Sequence, residues 1–196
     1  MQTISRKGEG LYKEKGSKFY SVALHAATEA ECRELIDWYA NKHHKSRHIC
    51  YAYILHEPAI ERSSDAGEPN NTAGPPLLNQ LKQFDLVQSI VIVARFFGGV
   101  KLGKGGLIRA YKQAAFEAVD HAEKKTYIRK SQLTLKLPAS ELNKFLNIFS
   151  GEKNARIISE TYGESCSLKI ELPEDRVSDF TEKAGQIDEI HISLEL

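Results

Sequence analysis

The last third of the chain has the pattern that most restricts its fold. Residues 131–137 place Leu133, Leu135 and Leu137 on one side of an extended segment, which is the period-two pattern of a half-buried strand. A helical stripe with apolar spacing i, i+3, i+4 and i+7 follows at 142–149. The same alternation of patterns then predicts a strand, a strand, a helix and a strand near 156–162, 165–172, 174–184 and 190–196.

The predicted order β-α-β-β-α-β is that of a split βαβ, or ferredoxin-like, unit. It predicts an α+β domain at residues 131–196, preceded by a separate domain at residues 1–130. The charges divide in the same way: residues 131–196 contain 7 Lys and Arg against 12 Asp and Glu, whereas residues 1–130 contain 20 against 14. This asymmetry indicates an anionic partner for the first domain, and the acidic second domain is expected to bind protein or to orient the first domain.

The first domain is predicted to be mixed in structure. Thr28 and Glu31 form a capping box, which marks the start of a helix that continues to about residue 41. The remaining patterns predict strands at 18–25, 48–56 and 89–97, helices at 76–83 and 104–123, and a long loop at 57–76.

Several classes of protein are disfavoured by the sequence. No apolar run approaches the ~18 residues that cross a bilayer, and the first residues lack the apolar stretch of a signal peptide. Cys32, Cys50 and Cys166 are far apart, so they do not indicate a disulfide framework or a CxxC metal site. We therefore expect a cytoplasmic protein without a membrane segment, metal or cofactor.

The segment between Arg95 and Lys112 has the composition most suggestive of function, because it contains five cations, several glycines and no acid. It is predicted to run from a strand through a turn into a helix N-terminus, where free backbone N–H groups and the helix dipole favour an anion. We expect a nucleic-acid or anion site at Arg95, Gly98, Gly99, Lys101, Gly103, Lys104, Gly105, Gly106, Arg109 and Lys112. Arg109 and Lys112, three residues apart, are expected to share one helical face near the turn.

One observation and one alternative interpretation limit this prediction. The segment nearly matches a P-loop, but Gly105 stands where Ser or Thr would hold magnesium, which argues against NTP hydrolysis. The alternative is that the glycines only turn the chain and that the cations are solvated.

The loop at residues 61–76 is a second candidate site. Asp65 and Glu68 are spaced to act as acid and base or as magnesium ligands, but such loops more often satisfy their own turns. We therefore predict no catalytic residue. Similarly, His43, His44 and His48 are more typical of a basic surface turn than of a metal site.

Four aromatic side chains of the first domain are expected in its core rather than as stacking platforms. These are Trp38, Phe96, Phe97 and Tyr111.

Two stretches together resemble the YigZ/IMPACT family, also called uncharacterised protein family 0029. They are RSSDAGEPNNTAGPPLLNQL (62–81) and VARFFGGVKLGKGGLIRAY (93–111). The signature residues of the first stretch are Ser64, Asp65, Gly67, Glu68, Thr72 and Gly74. Many relatives have a second acid where this chain has Ala66, which weakens a paired-carboxylate metal site.

The resemblance implies a first domain like the second domain of ribosomal protein S5, followed by a ferredoxin-like domain similar to one in elongation factors. It also implies a link to translation regulation. Together with the basic segment, it favours a non-enzymatic protein that binds RNA or the ribosome. Two alternatives stay open: an enzyme that acts on a phosphorylated small molecule, with Asp65 and Glu68 facing an anion at the Gly98–Gly106 turn, and a protein–protein adaptor.

Overall fold

The computed structural model describes residues 1–56 and 58–195, and these have the predicted two-domain α+β architecture. The chain separates into two compact units, Met1–Tyr127 and Ile128–Leu196. The elements of the first unit are β1 (Gln2–Arg6), β2 (Gly8–Glu14), β3 (Ser17–His25), α1 (Glu29–Lys42), β4 (His48–His56), β5 (Ala59–Ser64), α2 (Gly74–Gln83), β6 (Ser89–Phe96), α3 (Gly103–His121) and β7 (Glu123–Thr126). Those of the second unit are β8 (Lys130–Pro138), α4 (Leu142–Ser150), β9 (Arg156–Thr161), β10 (Ser165–Pro173), α5 (Val177–Ala184) and β11 (His191–Glu195).

The main sheet of the first unit has the strand order β2-β3-β6-β4-β5, with antiparallel neighbours. Strand β6 is its most buried strand, since every residue from Ser89 to Arg95 is buried. Helices α2 and α3 cover one face of the sheet around Phe19, Val91 and Val93, and α1 covers part of the other face around Val22 and Ile92.

The predicted cap of α1 is confirmed. The Thr28 hydroxyl accepts a hydrogen bond from the backbone N–H of Glu31 at 3.1 Å, and the Glu31 carboxylate accepts one from the N–H of Ala27 at 2.7 Å. The first contact satisfies a backbone donor that the first turn of a helix leaves free, and the second joins the residue before the cap to that turn.

The predicted loop at 57–76 is wrong in extent. Residues Ala59–Ser64 form β5, which pairs with β4, and α2 already begins at Gly74. Strand β5 lies at the edge of the sheet, so its side chains are largely exposed and polar and lack the alternation that identifies a strand. Glu57, which the predicted loop includes, lies outside the described residues.

The second unit has the predicted element order β-α-β-β-α-β. Its antiparallel sheet has the order β11-β8-β10-β9, and the side chains of Leu133, Leu135 and Leu137 form its core together with Phe145 and Phe180. Leu196, the last residue of the predicted final strand, lies outside the described residues. Among the described helices of both units, none combines the length and the apolar character needed to span a bilayer.

Candidate anion-binding site

The chain leaves the sheet at the end of β6 and enters α3 through the Gly-rich turn, as predicted. Gly103, the first residue of α3, has φ +69°, a left-handed conformation that strains residues with a side chain. The first turn of α3 contains no acid, and within the described residues no side chain caps it. Its N–H groups are therefore free to meet an anion.

This helix start opens into a cleft of about 520 Å³, which we call the α3 cleft. Its lining residues are Arg47, His48, Gly67, Glu68, Pro69, Arg95, Phe97, Lys101, Leu102, Gly103, Lys104 and Leu107. Four of the ten predicted anion-site residues are in this set: Arg95, Lys101, Gly103 and Lys104. Arg47, which was not predicted as a site residue, joins them from the turn before β4.

Arg95, predicted as an anion-site residue, is not solvated, which the alternative prediction required of the cations in this segment. Its side chain is 7% exposed, and its Nη1 lies 2.6 Å from Oε1 of Glu68, whose side chain is 3% exposed. The hydroxyl of Tyr111 also donates to Glu68 Oε1 at 2.8 Å. Within the described part of the chain Arg95 Nε has no hydrogen-bond partner. Arg95 therefore supports the wall of the cleft and keeps one unused donor.

The remaining predicted glycines and cations are not brought together at the cleft. Gly98 packs against the β2–β3 turn, where a Cβ would overlap the backbone of Gly16 and Ser17. Lys112 lines a different cleft beside α2, and Arg109 is placed over Gly105. Neither Arg109 nor Lys112 lines the α3 cleft, and the expectation that they share one helical face near the turn stays a prediction. Gly99, Gly105 and Gly106 also lie outside the lining.

The signature loop at 65–73 is held together by its own polar groups. The Asp65 carboxylate accepts backbone N–H bonds from Asn71 at 2.8 Å, from Ala73 at 2.8 Å and from Gly74 at 2.9 Å. The buried Thr72 hydroxyl donates to the carbonyl of Pro69 at 2.6 Å, and Ser64 Oγ accepts from the N–H of Ala66. The loop places Gly67 and Glu68 in the α3 cleft.

We expect stability to depend on pH through Asp65. Burial alone would raise the pKa of this carboxyl, but the N–H bonds from Ala73, Asn71 and Gly74 outweigh it and lower the pKa. A folded-state pKa below the unfolded value of about 3.9 adds stability above that value, and this stability is lost as the pH falls through the folded pKa. In urea unfolding of the wild type and Asp65→Asn, the difference should therefore shrink between neutral pH and about pH 3. If the difference in the free energy of unfolding stays constant over this pH range, the pKa of Asp65 is not lowered in the folded protein.

The buried Cys50 is not placed as a nucleophile. Its Sγ lies 3.0 Å from the carbonyl oxygen of Asp65 and 3.4 Å from the hydroxyl of Tyr111. Burial, as the largest influence, raises the pKa of the Cys50 thiol to about 12. A thiol with that pKa is protonated at neutral pH and serves as a small apolar group in the core.

The expectation that the four aromatic side chains lie in the core holds only in part. Tyr111 is fully buried, but Trp38 is 42% exposed and Phe97 is 50% exposed. Phe97 follows the last residue of β6, where the sheet ends and cannot cover it. Because Phe97 stands at the end of a continuous apolar run, the sequence pattern did not predict that its ring is exposed.

The comparisons with known proteins cover both signature stretches of the chain. The family model for the Impact N-terminal domain matches residues 15–119. The chain is 38% identical to the IMPACT family member YvyE of Bacillus subtilis over 120 residues, which are 61% of this chain and 55% of that relative. It is 29% identical to the IMPACT family member YigZ of Escherichia coli over 86% of this chain and 84% of YigZ. A crystal structure of a hypothetical protein has the same fold, with a TM-score of 0.77 and 23% identity over all of this chain and 96% of the other.

Proposed function

The chain belongs to the IMPACT family, and on this premise we propose that it binds RNA through the α3 cleft and acts, without catalysing a reaction, in translation. The part of the proposal that concerns translation is supported by family membership. The part that concerns RNA is supported by the geometry of the first domain. The acidic second domain as a protein-binding surface stays a prediction.

One observation carries the RNA proposal: the cations of the α3 cleft surround a helix N-terminus with free N–H groups. Arg47, Lys101 and Lys104 are exposed, and within the described residues none of them has an ion pair. Glu68, the one acid among the described residues of the lining, is neutralised by Arg95. The cleft is therefore electropositive, and such a surface binds phosphates whatever the base sequence.

The alternative of an enzyme that uses Asp65 and Glu68 is not favoured. The Asp65 carboxylate accepts three backbone N–H bonds, and the Glu68 carboxylate is bonded to Arg95 and Tyr111. Carboxylates held in this way stabilise the fold and are not available as a general acid or base, because proton transfer would break the contacts that position them. Of the two candidates, binding without catalysis fits the observed contacts better.

A pair of charge reversals tests the α3 cleft. We expect Lys101→Glu with Lys104→Glu to weaken binding of a short poly-uridine strand about tenfold or more at low salt. The slope of log affinity against log salt should fall by about 1.4, because each lost phosphate contact on a single strand removes about 0.7. Fluorescence anisotropy with labelled RNA over a salt series measures both quantities.

The matched control is Arg109→Glu with Lys112→Glu, which makes the same change of charge on the same helix outside the cleft. This control should lose much less affinity, since long-range attraction is screened at moderate salt. Equal losses in the two double variants would overturn the assignment to the cleft. A wild-type protein that does not retain RNA at low salt would overturn the function itself.

A further inference from the structure

A second cleft lies on the opposite face of the sheet and shares one wall with the α3 cleft. It has a volume of about 660 Å³ and is lined by Gly16, Lys18, Tyr20, His43, Phe96 and Phe97. Phe97 lines both clefts, because it leaves the end of β6 where the two faces of the sheet meet. We call the rings of Tyr20, His43, Phe96 and Phe97 the aromatic shelf.

The rings of the shelf are packed against one another and remain partly open to solvent. The rings of Tyr20 and His43 are stacked, with centroids 5.3 Å apart and planes 29° apart, and Phe96 meets Tyr20 edge-on at 5.6 Å. Burial, followed by the nearby Lys42 ammonium, lowers the pKa of His43. The imidazole is therefore neutral at physiological pH, and the shelf presents uncharged flat rings.

Phe97 is held in place although half of it is exposed. The guanidinium of Arg95 lies 5.6 Å from the centre of its ring. The next residue, Gly98, is fixed against the β2–β3 turn, where its N–H donates to the hydroxyl of Ser17 at 3.2 Å. A half-exposed phenylalanine gains only part of the free energy of burial, but a ring supported in this way is oriented in advance for a flat ligand.

The charges around the shelf indicate what that ligand is. Among the described residues none of its lining is acidic, Lys18 lies within it, and the cations of the α3 cleft begin on the other side of Phe97. An apolar peptide would use the rings but not the cations, whereas a nucleotide strand presents flat bases and anionic phosphates side by side.

We propose that the aromatic shelf binds unpaired bases of a single RNA strand whose phosphates occupy the α3 cleft. This inference rests on the proposed function and narrows it from RNA in general to single-stranded RNA. In a duplex the bases are stacked on one another and cannot reach the shelf, so only the phosphates contribute to binding. Stacking on rings of this kind tolerates every base, because each base has a π-face.

The test is Phe97→Leu, which keeps an apolar side chain and removes the ring. We expect the affinity for a short single strand to fall about tenfold, with the salt slope unchanged, while the affinity for a duplex of the same length stays the same. A fluorescent adenine analogue in the strand should be quenched by the wild type and not by the variant. Tyr162→Leu is the control, since Tyr162 is an exposed ring of the second domain, outside the shelf.

The outcomes separate the two proposals. If the single-strand affinity is unchanged in Phe97→Leu but reduced in Lys101→Glu with Lys104→Glu, the aromatic shelf does not bind bases, whereas the proposal that the α3 cleft binds phosphates stands. A wild-type protein that binds duplex and single strand equally well would also overturn the shelf. If the wild type binds neither the single strand nor the duplex, the proposals for the shelf and for the cleft are both wrong.

Discussion

Replacing Glu68 by alanine is expected to lower the free energy of unfolding by about 3–5 kcal/mol, which is the usual cost of removing one partner of a buried ion pair. The variant would leave the Arg95 guanidinium buried without a counter-charge, and the Tyr111 hydroxyl would lose its acceptor. Urea unfolding followed by circular dichroism measures the loss, and Glu68→Gln, which keeps a hydrogen-bond acceptor, should fall between the wild type and the alanine variant.

Glu61→Ala is the matched control. Glu61 and Lys82 are also 2.6 Å apart, but about half of each side chain is exposed. Exposed pairs contribute about 0–1 kcal/mol, so two pairs of equal length should differ several-fold in effect. A loss for Glu68→Ala no larger than that of the control would show that water reaches Arg95, and the buried-pair description would be wrong.

Asp65→Ala is expected to be the second most damaging substitution, with a loss of about 2–4 kcal/mol at neutral pH. The carboxylate is the shared acceptor of the backbone N–H groups of Asn71, Ala73 and Gly74, so its removal leaves three donors without a protein partner. Since the loop carries Gly67 and Glu68 into the α3 cleft, we also expect faster amide hydrogen exchange across residues 65–74.

Asp37→Ala is the comparison for this prediction, because Asp37 is an exposed carboxylate in the middle of α1. Surface substitutions of this kind change stability by about 0.5 kcal/mol or less. If Asp65→Ala stays within that range with unchanged exchange rates, the loop does not depend on its carboxylate.

The elements that were predicted carry their own local signals, whereas strands β1, β2, β5 and β7 were not predicted. The alternation of Leu133, Leu135 and Leu137 and the capping box at Thr28 identify their elements without reference to the rest of the chain. Strand β5 was missed because an edge strand is recognised by its pairing with β4 and not by its own composition.

The candidate site was predicted in outline, and its individual members were assigned only by the fold. Arg95 and Lys101 are both cations in one Gly-rich segment, and the sequence alone assigned them the same role. Tertiary structure separates them, because β6 buries Arg95 against Glu68 while the following turn leaves Lys101 in solvent. Arg47 reaches the α3 cleft because β4 pairs with β6, and the local sequence does not predict that pairing.

The sequence by itself determined the two-domain α+β organisation, the strand–turn–helix setting of the basic segment and the family signature. Only the tertiary structure decided which cations are free, that Asp65 and Glu68 are committed to the fold, and that Phe97 lies exposed between two clefts. The physical reason is the range of the forces involved. Periodicity and capping act between residues a few positions apart, whereas burial and ion pairing depend on residues as distant in the chain as Glu68 and Arg95.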